Sequence, residues 1–261
     1  MDDGVNRLAQ ARDWYVRAVD AIPADGWAGP TLCAGWTPAH VVAHVISGDQ
    51  LFGGILLDAF GKDRTGLDLP VDLADRRRRF EAMTTWEPAR LQQAARTESE
   101  RTVAAITEAA AQAPEMVVTV PFGAVPIPVV RALRLNEYVI HGHDLMPAIG
   151  RSMPVPEGFI DRQLGESITL MQRLHERSPH KGESASFHLH RTDGEGEWIL
   201  RAEAGRAVAE AGHGDADATL RGPGESLYWV ILGRGKPEYL EVELQGDRSL
   251  AARFKEWFPG P

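Results

Sequence analysis

Residues 35–60 read GWTPAHVVAHVISGDQLFGGILLDAF. Thr37 followed by Pro38 is a helix start, a capping hydroxyl and then a proline whose missing N–H costs nothing in the first turn. From Pro38 to Phe60 the segment is apolar nearly all round, which is how a helix reads when it lies at the centre of a bundle. Working outward, residues 4–21 (GVNRLAQARDWYVRAVDA) place Leu8, Ala11, Trp14, Tyr15, Ala18 and Val19 at helical spacing. A Pro- and Gly-rich loop ending in CAGWTP joins the two helices.

Downstream, a polar loop with Gly61, Gly66 and Pro70 leads into a charged helical segment from Val71 to Met83. Glu87 to Ala113 reads as a long helix with Leu91, Ala94, Ala95, Val103, Ile106 and Ala110 turned inward. Residues 114–128 (PEMVVTVPFGAVPIP) carry too much Pro and Gly for a helix and contain short β-like runs. Val129 to Ile149 is the fourth main helix, closed by Gly150. These segments predict a four-helix bundle.

The pattern changes after Pro154. A helix from Glu157 to Arg177 precedes four segments of period-two alternation, ASFHLHR, EWILRAE, RAVAEAG and ATLRG. A helical stretch GESLYWVILGR, a strand LEVELQG and a terminal helix RSLAARFKEWF complete the chain. The expected fold class is therefore α+β, with a bundle over residues 1–152 and a small α+β domain with a mostly antiparallel sheet over 153–261.

Composition bounds the function. With 28 basic and 37 acidic side chains the net charge is −9, which argues against a nucleic-acid partner. The run Arg76–Arg79 sits among acidic residues and reads as a solvated helix face. Cys33 is the only cysteine, so no internal disulfide forms and a reducing, cytoplasmic setting is expected. The N-terminus has no secretory pattern, and no uninterrupted apolar run reaches the ~18 residues a membrane span needs. Neither a sustained heptad nor an exposed apolar strand is evident, so a monomer is expected.

Two of the predicted bundle helices hold paired ligand types. His40 and His44 lie in HVVAH, Glu137 and His141 in EYVIH. Residues four apart sit about 40° apart around a helix and share a face. Two His and one Glu from two helices leave a coordination position open, as in catalytic zinc sites. His44 has apolar neighbours, so a core histidine is the competing reading. Arg134, Glu137, His141 and Asp144 form a polar stripe that could equally face solvent. Asp144 either orients His141 or lies on the surface, His143 reads as a bystander, and His40 as a bystander or an extra ligand. Cys33 reads as a small buried residue before the helix cap. His188 and His190 alternate in FHLH and share a strand face, read as a hydrated sheet face because no third ligand is evident nearby.

The segments PTLCAGWTPAHVVAHV and RLNEYVIHGHDLMPAIG resemble the mycothiol-dependent maleylpyruvate isomerase family. The matching residues are Gly35, Trp36, Thr37, Ala43 and His44, and then Arg134, Glu137, His141 and Asp144 in R-x-x-E-x-x-x-H-x-x-D. The resemblance continues through ADATLRGPGESLYWVILGR and LEVELQGDRSLAARF, similar to the family's small sterol-carrier-like domain. It implies a DinB-like bundle in which His44, Glu137 and His141 bind a divalent metal, usually zinc. It also implies mycothiol, a low-molecular-weight thiol, as cosubstrate alongside a small-molecule substrate. The family places an arginine of the C-terminal domain near the metal; Arg234 is the first candidate for this catalytic role, and Arg221 the second, for cofactor binding.

The implied reaction is cis–trans isomerisation or thiol S-transfer. A carrier or sensor binding an apolar ligand in the C-terminal domain is the alternative from another class. Two His and one carboxylate would also suit non-haem iron.

Overall fold

The computed structural model describes residues 3–259 apart from 64, 66, 68, 71, 122, 157 and 204, together with the side chains of all these but 170 and 173. Gly66, Val71 and Glu157, named above at a loop and two helix starts, lie outside the described residues. The chain divides into two compact units, Met1–Pro156 and Glu157–Pro261.

The first unit contains α1 (Asp3–Asp20), α2 (Pro38–Ala59), α3 (Leu73–Met83) and α4 (Pro88–Gln112), then a hairpin of β1 (Val117–Val120) and β2 (Gly123–Pro126), then α5 (Ile127–Asp144) and the single turn α6 (Met146–Ile149). Helix α2 packs on α4, α3 and α5, while α1 packs on α5 and α4. By length and composition α2 could cross a membrane, yet 72% of its apolar window is buried inside the chain. Its apolar girth is thus used by the bundle itself.

Helix α2 starts as its sequence demands. The backbone N–H of Thr37 donates to Nδ1 of His40 at 3.4 Å, and the Thr37 hydroxyl lies 2.8 Å from the same nitrogen. His40 is therefore a capping residue. On α4 the inward stripe is Leu91, Ala95, Ser99, Thr102, Ile106 and Ala109, so Ala94, Val103 and Ala110 stand to one side of it. The displacement follows from polar pairing. Ser99 Oγ accepts from Arg12 Nε at 3.0 Å, and the Thr102 hydroxyl donates to the backbone oxygen of Asp49 at 2.9 Å.

Helix α3 departs from its expected solvated face. Arg77 and Arg78 are exposed and pair with Glu81 and Asp75. Arg76 turns inward instead, its Nε donating to Ser47 Oγ on α2 at 2.9 Å.

The second unit contains α7 (Phe159–Leu174), β3 (Ala185–Arg191), β4 (Glu197–Glu203), β5 (Arg206–Ala211), β6 (Ala218–Gly222), α8 (Gly224–Ile231), β7 (Glu243–Gly246), α9 (Arg248–Ala252) and α10 (Phe254–Trp257). Strand order is β5-β4-β3-β6-β7. All pairs are antiparallel except β3 with β6, the mixed α+β arrangement the alternating segments predict. Phe187 on β3 points into an aromatic core with Phe254, Trp257 and Phe258, and period-two geometry sends His188 and His190 to the opposite face. The last strand is shorter than its alternation suggests. Pro237–Tyr239 form a 3-10 turn and Glu241 takes φ 56°, so the ladder begins only at Glu243.

Lys255 is a largely buried cation of this unit whose equilibrium is displaced toward the neutral form. Its Nζ donates to the backbone oxygen of Ile231 at 2.7 Å, and burial, reinforced by the charge of Arg234, pushes its pKa down to about 7. An amine whose folded pKa lies below its unfolded value of about 10.4 makes the unfolded state bind more protons between those limits, so stability rises with pH there. We expect Lys255→Met to flatten this rise by under about 1 kcal/mol per pH unit, read from denaturant unfolding between pH 7 and 10. Parallel pH profiles for the two proteins would show that Lys255 titrates normally.

Candidate metal centre

The centre forms where α2 and α5 face each other. Nε2 of His44 lies 3.1 Å from Oε2 of Glu137, and Nε2 of His141 lies 3.5 Å from the same oxygen. The imidazole ring centroids are 4.7 Å apart. One ligand atom from each of the three residues falls within 4.8 Å of the others. The i,i+4 spacing of EYVIH brings Glu137 and His141 to one face, and α2 supplies His44 from across the bundle.

The polar stripe of α5 turns inward, with Arg134, His141 and Asp144 buried and Glu137 half-buried. Arg134 and Asp144 are 1% and 0% exposed. Arg134 Nη2 donates to Asp49 Oδ1 at 3.0 Å, and the Tyr138 hydroxyl donates to the same oxygen at 2.6 Å. Arg134 Nη1 stands 3.9 Å from Glu137 Oε2, placing a fixed positive charge behind that carboxylate. This arrangement needs Gly48, because a Cβ there would fall 2.5 Å from Arg134 Nη1.

Asp144 performs the orienting role. Its Oδ2 lies 2.9 Å from Nδ1 of His141, which directs Nε2 of that ring toward Glu137. The Cys33 thiol donates to the same Oδ2 at 3.0 Å. Cys33 is half-buried at the centre rather than a packing residue in a loop. Its loop is pinned by Leu32 N–H to the Asp144 backbone oxygen at 3.0 Å and by the Thr31 hydroxyl to the Trp36 oxygen at 2.8 Å. Trp36 and Phe80 wall the site, with ring centroids 5.3 Å and 6.5 Å from that of His44.

Electrostatics separate the three candidate ligands. Burial pushes the His44 imidazole below its usual range despite its contact with Glu137. Burial also opposes charge on Glu137, but hydrogen bonds with His141 and His44 outweigh it and hold the carboxyl well below the usual range. For His141, burial is again overcome, here by Asp144, Cys33 and Glu137, and the ring is held well above its usual range. A carboxylate between two imidazoles is a borderline-metal donor set, N2O, suited to zinc or iron(II).

The structure thus brings together His44, Glu137, His141 and Asp144. His40 caps α2, and His143 belongs to none of the ligand groups found among the described residues. Arg221 and Arg234 lie in the second unit. Arg221 Nη1 is 3.7 Å from Glu243 across the β6–β7 pair, and Arg234 Nη1 donates to the Leu232 oxygen at 3.4 Å. Sequence reading did not bring Arg76, Cys33 or Phe80 to the centre, and it took Trp36 only as part of the helix-start motif. Arg76, Cys33 and Phe80 carry no local spacing signal and reach the centre through packing between elements.

Residues 8–146 match the mycothiol maleylpyruvate isomerase N-terminal domain, and residues 155–253 match the MDMPI C-terminal domain. The chain belongs to the mycothiol maleylpyruvate isomerase family. Two solved structures share its fold. The crystal structure of the mycothiol-dependent maleylpyruvate isomerase has a TM-score of 0.66 at 20% identity, covering 90% of this chain and 89% of that one. A histidine-to-alanine mutant of that isomerase gives 0.65 at 19% identity with the same coverage. No curated protein matches the chain. Within the mycothiol maleylpyruvate isomerase match, the N-terminal domain contains all three candidate ligands with Cys33 and Arg76, and the C-terminal domain contains both arginine candidates.

Arg134→Met strands the Asp49 charge in the core. The first unit is expected to lose about 3–5 kcal/mol, the cost of breaking a buried pair from one side. Urea unfolding measures it; a loss below about 1 kcal/mol would mean that Tyr138 alone suffices to hold Asp49.

Proposed function

We propose that this protein is a mycothiol-dependent isomerase acting on a cis enedione acid of the maleylpyruvate type, with a divalent metal, zinc first, held by His44, Glu137 and His141. The observation that carries the reading is the convergence of two imidazoles and one carboxylate on one point, in a chain of this family. When bound, such an ion supplies Lewis acidity that favours the thiolate form of a nearby thiol at neutral pH.

The remaining chemistry follows from the substrate and the protein's own side chains. Thiolate sulfur adds to one alkene carbon, forming a C–S bond while the π electrons move to the conjugated carbonyl oxygen as an enolate. Rotation about the resulting single bond follows. The enolate then restores the C=C bond in the trans geometry, the C–S bond breaks and the thiolate returns, so no oxidant or reductant is consumed. Asp144 keeps the Nδ1 side of His141 occupied and leaves Nε2 facing the site. Trp36 and Phe80 exclude water from one side of His44.

Developing enolate charge and the substrate carboxylate call for cations. Arg76 is one, since its charge acts on both His44 and Glu137. Arg234 is the proposed cation from the C-terminal domain, with Arg221 second. The single cysteine fits a reducing cytoplasmic setting, and we expect a monomer.

His44→Ala and Glu137→Ala are each expected to lose one equivalent of zinc and at least about 100-fold in thiol-dependent isomerisation while remaining folded. Elemental analysis, circular dichroism and turnover of maleylpyruvate with mycothiol check this; full turnover in His44→Ala would sink the proposal. Arg76→Met is expected to raise KM about tenfold with kcat changed far less, as loss of a charge-assisted contact to a carboxylate should. An unchanged KM would remove Arg76 from substrate binding.

A further inference from the structure

His188 and His190 are not a bare sheet face. Strand pairing places Glu197 of β4 directly opposite His190, and a turn after β5 adds His213. Oε2 of Glu197 lies 3.1 Å from His188 Nε2 and 2.8 Å from His213 Nδ1, while its Oε1 lies 3.0 Å from His190 Nδ1. One ligand atom from each of the four residues falls within 4.8 Å of the others. The third and fourth groups escape local spacing because they arrive through β3–β4 register and the turn after β5.

The geometry points to a second metal site, in the C-terminal unit, in which His188, His190, His213 and Glu197 bind a borderline divalent ion of the zinc, nickel or copper class. Four donors of the N3O type match the tetrahedral preference of zinc and are poorly suited to calcium or magnesium, which take oxygen ligands. Donors about 2.0–2.1 Å from one ion in tetrahedral array stand about 3.3 Å apart. The three nitrogen–oxygen separations of 2.8–3.1 Å are close to that, so small side-chain movements admit an ion.

Two further features favour a ligand over a simple ion-pair hub. One carboxylate is neutralised by a single imidazolium, yet three imidazoles converge on Glu197. The delivery of His213 is built into the backbone. Gly212 takes φ 133°, open essentially to glycine, and its N–H donates to the Glu197 backbone oxygen at 2.8 Å. The side chain of His213 is 76% exposed and those of His190 and Glu197 are 25% exposed, so an ion has a route in from solvent.

The test compares metal uptake by the full chain with that of His190→Ala/His213→Ala, two replacements at the rim of the site. Apo protein is titrated with cobalt(II) and with zinc against a chromophoric chelator, and circular dichroism verifies the fold. The wild type should take up one equivalent more than the double variant, with visible cobalt bands that the double variant loses. His44→Ala should keep that equivalent, which separates this site from the one proposed for isomerisation. The single variant His213→Ala should bind at least tenfold more weakly. Equal stoichiometry in the wild type and the double variant would overturn the inference and leave Glu197 as an ion-pair hub.

Discussion

A buried guanidinium between α2 and α5 organises the first unit. Arg134 and Asp49 meet with their side chains almost wholly removed from water, and Tyr138 donates to the same carboxylate oxygen. Such a pair contributes little net stability relative to apolar packing, because desolvation of the two charges consumes most of their attraction. Its consequence here is register. Arg134 lies three residues before Glu137 on α5, and Asp49 five residues after His44 on α2. When guanidinium meets carboxylate, His44 is carried to within 3.1 Å of Glu137. A shift of one helix by a residue would turn its facing side chain about 100° around its own axis and leave both charges uncompensated. The absence of a Cβ at Gly48 is part of the same constraint, since it gives the arginine room to cross between the helices.

From that register the electrostatics of the centre follow outward. Glu137 is flanked by two imidazoles and backed by Arg134, so its carboxylate form prevails over burial. His141 is held from its far side by Asp144, which also receives the Cys33 thiol and, through its backbone oxygen, the Leu32 N–H. The loop between α1 and α2 is thereby tied to the end of α5, and Trp36 is fixed beside His44. The orientation of the candidate ligands is thus set by groups that are not themselves among the three, an arrangement that would suit a metal site.

How much of this was legible follows from which contacts are local. The shared face of Glu137 and His141 was readable because it expresses the 3.6-residue period within one helix, and half-buried His44 was readable only as a histidine with apolar neighbours. The sheet was readable from period-two alternation in ASFHLHR and EWILRAE. Arg76 was not, because a run of four arginines has the same local appearance whether or not one of them turns under α2 to reach Ser47. The polar stripe from Arg134 to Asp144 was ambiguous for the mirror-image reason: a charged stripe reads as solvent-facing unless its partner, Asp49, is known to lie opposite. Cys33 is 111 residues from the carboxylate it meets, beyond any spacing rule.

The two histidine clusters show the same chemistry reached by different backbone arithmetic. In the bundle, a helical i,i+4 pair and one residue from a facing helix converge, and buried outer groups fix the rings before any ligand arrives. On the sheet, an i,i+2 pair, a cross-strand partner and a residue on a glycine turn converge, and the last of these is largely exposed. The cost of assembling each set differs accordingly. The bundle site is prepaid in folding, through the ion pair and the pinned loop. The sheet site requires the turn at Gly212 to hold His213 over Glu197, so occupancy there couples to the order of the β5–β6 connection. A metal on the sheet would therefore act as a clasp between β3, β4 and that connection, whereas the bundle centre takes its shape from the buried ion pair and the pinned loop.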